Sequence, residues 1–370
     1  MAKKGTMKQA VLMGKGGPWE IREVEIPQPG PNELLIKVKA SSICTQTDLN
    51  SIRALHPPHD HQMQGMLPHH CRIWDKRVPD ELSDVYPARM YPNKPFPTTM
   101  GHEAAGEVAA VGEYTQSGLD ELACFDSNIK VGDRVSGLPI VGGIGEYIIM
   151  NRDSVMKLPD NIDYEEGSLV EPVFMVYNTV RQVVQLTDTV AVIGQGALGL
   201  IATQVAKIMG AKKIIVSEPV AKKRTLAKKL GADIAIDPEK KNVVHEIERL
   251  TDGIGVDTAI EAAGEPDSIR ILPYIMKTGG RIGQIGACCA PVTIDWSYIH
   301  FRGLLVTSEI YMLVHGNFKE ILQRSVNLIA SGQLKVKPLI TKRYKLEDVS
   351  KAFEVLESDN SIIKSMFVFK

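Results

Sequence analysis

Several things are scarce in this chain of 370 residues, and each scarcity excludes a class of protein. Cysteine is sparse and odd in number: Cys44, Cys71, Cys124, Cys288 and Cys289 are too few and too scattered for a secreted disulfide framework. A reducing, cytoplasmic setting is the expectation. A basic surplus is missing, because Lys and Arg total 43 against 44 for Asp and Glu. A partner bound through its phosphate backbone calls for such a surplus, so nucleic acid is not expected as a partner. Long apolar runs are also missing. The lysines at the start are followed by no apolar segment of a signal peptide. The most apolar stretch, residues 190–209, is broken by Gly194, Gln195, Gly196, Gly199, Thr203, Gln204 and Lys207. It reads as strand, turn and helix, and no membrane association is expected.

What is present has two textures. Up to about residue 157, short alternating runs (10–13, 33–40, 106–111, 133–136 and 146–150) read as strands punctuated by Pro and Gly. From about 164 to 305, strands at 189–193, 213–217, 234–236, 256–261 and 280–285 alternate with helical patterns at 198–209, 220–230, 243–251 and 267–276. That alternation predicts parallel βαβ units with helices on both faces of the sheet. The tail carries amphipathic helical patterns at 320–331 and 346–358 and a last strand near Met366. Residues 51–99, rich in Pro, His, Arg and Met, break regular structure repeatedly and read as a long irregular loop.

The sharpest local signal is Gly194-Gln195-Gly196-Ala197-Leu198-Gly199, directly after the apolar strand TVAVI and opening an apolar helix. Gly194 permits the tight turn, Gly196 admits a pyrophosphate to the backbone, and Gly199 allows close packing of the helix. The helix start, at Ala197 and Leu198, then offers unpaired N–H groups to phosphate. Glu218 ends the next strand, 19 residues beyond Gly199. A carboxylate there accepts bonds from ribose hydroxyls and repels a 2′-phosphate, which favours NAD over NADP. Lys222, Lys223 and Arg224 are the cations that a 2′-phosphate would meet instead.

A second set of residues is bland one by one. Cys44 follows a strand, His102 and Glu103 follow a Pro-rich stretch, and Glu171 sits in SLVEPV. A thiolate, an imidazole and carboxylates together can hold Zn²⁺ with one position open. A lone cysteine after a strand, by contrast, is ordinarily a small buried hydrophobe. The ordered series GHEAAGEVAAVG, VGDRV, GEY, LVEP, VIGQGALG and KKLGAD decides the weight given to them. In that order the blocks resemble the zinc-dependent medium-chain alcohol dehydrogenases, in particular the polyol, butanediol and threonine dehydrogenase branch. The resemblance covers nearly all of the chain except 51–99.

That resemblance implies an α/β protein with two domains. A mostly-β, GroES-like catalytic domain takes residues 1–160 and 305–370, with 51–99 inserted in it. A Rossmann domain with a doubly wound parallel sheet takes 161–304. It implies one catalytic zinc on Cys44, His102 and Glu103, with Glu171 as a fourth ligand or as a partner of the bound water. It also implies coenzyme contacts at Thr179, Pro219, Lys223, Ala263, Gly264, Ile285, Gly286 and Ser308, and a homodimer or homotetramer. The activity implied is the reversible oxidation of a secondary alcohol (a polyol, diol or amino alcohol) to a ketone, with hydride passing to NAD. An ion with one thiolate and two carboxylates carries a net negative charge, so one glutamate is expected to loosen when substrate binds.

The chain departs from the family pattern in three places. Residues 136–145 contain no cysteine, so the four-thiolate structural zinc site of many members is absent. The usual C-G-[ST]-D-x-H appears as CTQTDLN. Matching the Thr-Asp pairs makes Thr47 the hydroxyl that passes the substrate proton, whereas a gapless match puts Gln46 there. Asn50 stands where a histidine ends the relay, and His56, His59 or His61 is the available replacement. Finally, Cys44 and His102 are 58 residues apart, so the insertion is expected either to border the substrate cleft, with Arg53, Arg72 and Arg89 available to clamp an anionic group, or to be a surface or subunit-contact loop. Two other readings share this architecture: a zinc-free enone or quinone reductase, and a non-catalytic dinucleotide binder. The retained Cys44, His102, Glu103 and Glu171 weigh against both.

Overall fold

The computed structural model describes residues 5–14, 16–45, 48–49, 97–114, 128–138, 142–288, 292–308 and 318–370. Thr47, Gln46, Asn50 and almost all of the 51–99 insertion lie outside the described residues.

In the first half, β1 (Thr6–Leu12) and β2 (Trp19–Glu25) form an antiparallel ribbon. They are followed by β3 (Glu33–Ser42), β4 (Glu103–Val111), β5 (Arg134–Gly137), β6 (Tyr147–Asn151) and β7 (Val155–Lys157). A short helix α1 (Tyr164–Gly167) leads into α2 (Val170–Val183). The βα series then runs β8 (Thr189–Ile193), α3 (Ala197–Ile208), β9 (Lys213–Ser217), α4 (Ala221–Leu230), β10 (Ile234–Ile236), α5 (Val243–Leu250) and β11 (Val256–Glu261). It continues with α6 (Pro266–Arg270), α7 (Leu272–Ile275), β12 (Met276–Gln284), α8 (Trp296–Arg302) and β13 (Leu305–Thr307). The tail contributes α9 (Phe318–Ala330), β14 (Ile340–Tyr344), α10 (Val349–Ser358) and β15 (Lys364–Val368).

Six strands make one wholly parallel sheet in the order β10-β9-β8-β11-β12-β13. β8 lies at its centre and is buried at all five positions, which is why its sequence is an unbroken apolar run. This sheet with its flanking helices is the Rossmann-type layer expected, and it extends past residue 304 to β13. A second sheet, β14-β15-β3-β4-β5-β7 with β6 also on β3, is antiparallel except at β14-β15. It is the GroES-like half, and the tail strands β14 and β15 rejoin it beside β3.

Two local expectations came out differently. The helix expected over 267–276 is two pieces, because Pro273 has no N–H to continue the ladder and starts α7 afresh. The helix α2 was not anticipated, and its polar face is narrow, at Tyr177, Arg181 and Gln182. It is buried nearly all round, within a core that also takes Ala105 and Met156 from one sheet, Val190 and Val192 from the other, and Leu322 and Val326 of α9. Among the described residues no helix is long and apolar enough to cross a membrane.

Candidate active site

Strand register builds the first cluster. Ser42, the last residue of β3, pairs with Glu103, the first of β4, and with Met366 of β15. Continuing those antiparallel ladders by a residue or two brings Cys44, His102 and Lys364 together, although they are far apart in sequence. Ile43 N–H donates to Ser365 C=O at 2.8 Å, which carries the β3–β15 ladder past its last strand pair. One ligand atom each of Cys44, His102 and Glu103 lies within 4.8 Å of the others. Glu171, at the start of α2, stands outside that triplet but is buried beside it, and its charge acts on His102.

Three further side chains complete the cluster. Lys364 is 2% exposed, and its ammonium donates to both carboxylate oxygens of Glu103 at 2.5 Å and to Ile43 C=O at 3.1 Å. Ser42 Oγ donates to the same carboxylate. Asp48, also buried, accepts from Cys44 N–H at 2.9 Å through Oδ2 and faces His102 Nδ1 at 3.6 Å through Oδ1.

The electrostatics follow from that crowding. Burial pushes the Glu103 carboxyl up, but the Lys364 ammonium and His102 overcome it and hold it below the usual range. Among the described residues, Glu171 has no such direct cation. Burial and the neighbouring Glu103 and Asp48 charges, only partly offset by His102 and Lys364, push it up to about 7. Burial works against a charged His102, yet its bond to Cys44 and the negative charges of Cys44, Asp48 and Glu171 raise it well above its ordinary value. Burial likewise opposes a charged Lys364, and Glu103 and Cys44 outweigh it. A thiol, an imidazole and three carboxyls thus surround one fixed ammonium, a surplus of donors that suits a divalent cation.

The second cluster is the glycine turn. Gly194 adopts φ +90°, and a Cβ at Gly199 would lie 2.0 Å from Gly194 O, so neither position admits a side chain. Gly196 caps α3 with no side-chain bond, and its own Cβ position opens on empty space. The N–H groups of the first helical turn are left for an anion. Glu218 closes the turn from the side: its carboxylate accepts from Gln195 N–H at 2.8 Å and from Val220 N–H at 3.0 Å. Arg224 is consumed by the fold, donating to Glu218 C=O, to Pro219 C=O and to Asp237. Lys223 is pulled below its usual value by burial, which the Glu218 and Asp359 charges only partly offset.

One cleft of about 650 Å³ joins the two clusters. Cys44, Thr45 and Lys364 line one end, and Gly194, Gly196, Ala197, Leu198, Glu218, Pro219, Lys223 and Ala263 line the rest. The remaining expected coenzyme residues stand back from this wall. Thr179 is buried on α2 against Gly283, Gly264 and Gly286 abut each other, Ile285 is buried, and Ser308 is exposed beyond β13.

The comparisons with known proteins agree with this geometry. A family model described as "Zinc-binding dehydrogenase" matches residues 197–327, and one described as "Alcohol dehydrogenase GroES-like domain" matches 76–160. The L-threonine 3-dehydrogenase of Pyrococcus furiosus is 31% identical over 357 residues, 92% of each chain. The chain belongs to the zinc-dependent medium-chain alcohol dehydrogenases. Other relatives of this dehydrogenase include the L-threonine 3-dehydrogenase of Escherichia coli, 26% identical over 95% of this chain and 96% of that one. The crystal structure of 2R,3R-butanediol dehydrogenase from Bacillus subtilis is 27% identical, with a TM-score of 0.75 over 98% of this chain and 100% of that one. The dehydrogenase is therefore an oxidoreductase of CH–OH groups that uses zinc and a nicotinamide dinucleotide.

Lys364 and Ser42 had no sequence signal, being ordinary strand residues. Asp48 stood in plain sight within CTQTD, where the side chain that faces the histidine is this carboxylate.

Proposed function

We propose that this dehydrogenase reversibly oxidises a small secondary alcohol with a neighbouring polar group to the ketone, with NAD as coenzyme. The observation that carries the proposal is the meeting of the Cys44, His102 and Glu103 donor atoms at the end of the cleft that also holds the glycine turn. Cys44 and His102, with Glu103 or Glu171, would hold the metal. Bound there, zinc supplies Lewis acidity that makes a substrate hydroxyl acidic at neutral pH. A nicotinamide supplies the hydride acceptor.

The protein's own groups do the rest. Asp48 orients His102 through Nδ1, leaving Nε2 as its metal-binding nitrogen. Lys364 and Ser42 grip both oxygens of Glu103, which assigns Glu171 as the carboxylate with freedom to approach or withdraw. Lys364 also supplies a positive charge absent from the ligand charges alone, so a divalent ion, the thiolate, both glutamates and the ammonium sum to zero before Asp48 is counted. Thr47 is the hydroxyl assigned to passing the substrate proton, on the Thr-Asp match alone. NAD is favoured by the Glu218 carboxylate in the cleft and by the engagement of Arg224 with backbone carbonyls and Asp237. The threonine and butanediol dehydrogenases named above point to an amino alcohol or vicinal diol as the substrate class.

An absorbance screen at the NADH band with zinc-loaded protein, over amino alcohols, diols, polyols and hydroxy acids, tests this reading. Cys44→Ala should abolish turnover and leave NAD affinity nearly intact; equal turnover in the variant would sink it. We also assign a homodimer through β13. Among the described residues this strand ends the sheet and exposes Leu305 and Val306, and Trp296 and Phe301 of the preceding α8 are 70% and 83% exposed. Apolar surface of that kind at a sheet edge is ordinarily covered. Leu305→Lys should shift the mass seen by light scattering from dimer to monomer. The sparse cysteines remain the ground for a cytoplasmic location.

A further inference from the structure

Glu261, at the end of β11, is wholly buried and belongs to neither cluster. Among the described residues, every donor to its carboxylate is neutral. Oε1 accepts from the N–H groups of Ala263 and Gly264, each at 2.9 Å, and from Ser268 Oγ at 2.6 Å. Oε2 accepts from Gln284 Nε2 at 2.6 Å, and the same amide donates to Gly286 C=O at 2.7 Å. The Glu261 carbonyl takes the N–H groups of Ile285 and Gly286 at 2.8 and 3.0 Å.

The two oxygens thus serve different walls. Ala263 and Ser268 line the cleft, and Ala263 lies against Gly194: a Cβ added to that glycine would come within 2.7 Å of Ala263 N. Gln284 and Gly286 belong to the end of β12. The two walls touch, because a Cβ on Gly286 would meet Gly264 N at 2.3 Å and Glu261 Oε2 at 2.5 Å. A buried carboxylate satisfied only by neutral donors is costly to keep. Apolar packing would join two loops more cheaply, but it would not fix the direction of four donors at once.

We infer that Glu261 and Gln284 form a clasp that sets the spacing between the loop against the glycine turn and the loop after β12. Glu261 is a positioning residue for the coenzyme and touches none of the reacting atoms. The inference rests on the coenzyme reading of the cleft given above. Glu261→Gln tests it sharply. If the new amide keeps its oxygen toward Ala263, Gly264 and Ser268, its NH₂ opposes the NH₂ of Gln284, donor against donor. Gln284→Leu opens the same joint from the half-exposed side and spares the buried acid, so it serves even if Glu261→Gln fails to fold.

The measurements are calorimetric titration with NADH alone, steady-state kinetics and zinc content. Each variant should raise the NADH dissociation constant and the coenzyme KM about tenfold, the loss of roughly one well-made buried bond. kcat at saturating coenzyme and zinc per chain should stay near wild type. The double variant should be no worse than the poorer single one, since both cut one joint. A purely structural role would lower the melting temperature without moving KM. That result, an additive double variant or an unchanged NADH constant would each overturn the clasp. Wild-type protein that binds neither NADH nor NADPH would overturn the coenzyme reading and the clasp together. Wild-type binding with Gln284→Leu unaffected would overturn the clasp alone.

Discussion

The two ends of the cleft are made of different material. At the coenzyme end the recognising surface is backbone: an uncapped helix start and three glycines within six residues, shaped by φ +90° at Gly194 and by the close approach of Gly199 to Gly194 O. At the metal end it is side chains, delivered by β3, β4, α2 and β15 and crowded into a buried space with several negative groups and one ammonium. The first end is local: one backbone turn with the Glu218 carboxylate bonded against it. The second is charged and assembled from residues up to 322 positions apart, so it depends on the whole sheet and on the balance of its charges. A substitution at the first end should therefore act on affinity, and one at the second on both stability and chemistry.

Lys364→Met puts the largest strain on that contrast. It leaves the Glu103 carboxylate buried with Ser42 as its remaining side-chain donor, and removing one partner of a buried pair costs roughly 3–5 kcal/mol. The expected result is a melting transition many degrees lower, with turnover and zinc retention lost together. Lys364→Arg keeps the charge and should recover most of the stability. If Lys364→Met melts like wild type, the metal end is not under the charge control argued here.

Glu218→Ala is the matching cut at the coenzyme end. Its carboxylate braces Gln195 N–H and Val220 N–H. On the proposed coenzyme reading, its loss removes a ribose acceptor and the repulsion of a 2′-phosphate. NAD affinity should fall about tenfold, the NAD-to-NADP preference should shrink, and zinc content should not move. An unchanged preference would mean that another residue, with Lys223 first in line, reads the ribose.

The same contrast explains what the sequence disclosed. The glycine turn, the parallel strands and Glu218 were legible because each is a local pattern with a local cause. Cys44, His102, Glu103 and Glu171 were legible only through the order of short blocks along the chain, since nothing in spacing alone brings residues 44 and 102 together. The register of Ser42 with Glu103 does that. Lys364 was invisible because a lysine third in IIKSMF is an ordinary strand residue until β15 is laid beside β3. Likewise α2 shows only a narrow polar face, at Tyr177, Arg181 and Gln182, since it is enclosed by two sheets and two helices.

The finest test uses a charge that belongs to neither end. Asp163 caps α1 by accepting from Glu166 N–H at 2.8 Å, and it pairs with Lys337 of the returning tail at 2.7 Å. Burial pushes its carboxyl up, but the Lys337 bond and the backbone N–H groups outweigh that and hold it below its ordinary value. A carboxyl depressed in the folded state contributes stability that is complete above its unfolded value and vanishes as pH falls through the folded one. Asp163→Asn keeps a capping oxygen and removes the charge. The pair is largely solvent-screened, so the cost at neutral pH should be only about 0.5 kcal/mol, a degree or so in the melting temperature. That gap should persist down to about pH 4 and close below it. NADH affinity and zinc content should both match wild type. A change in either would mean that the seam between the two sheets transmits to the cleft, and the separation of the two ends would have to be given up.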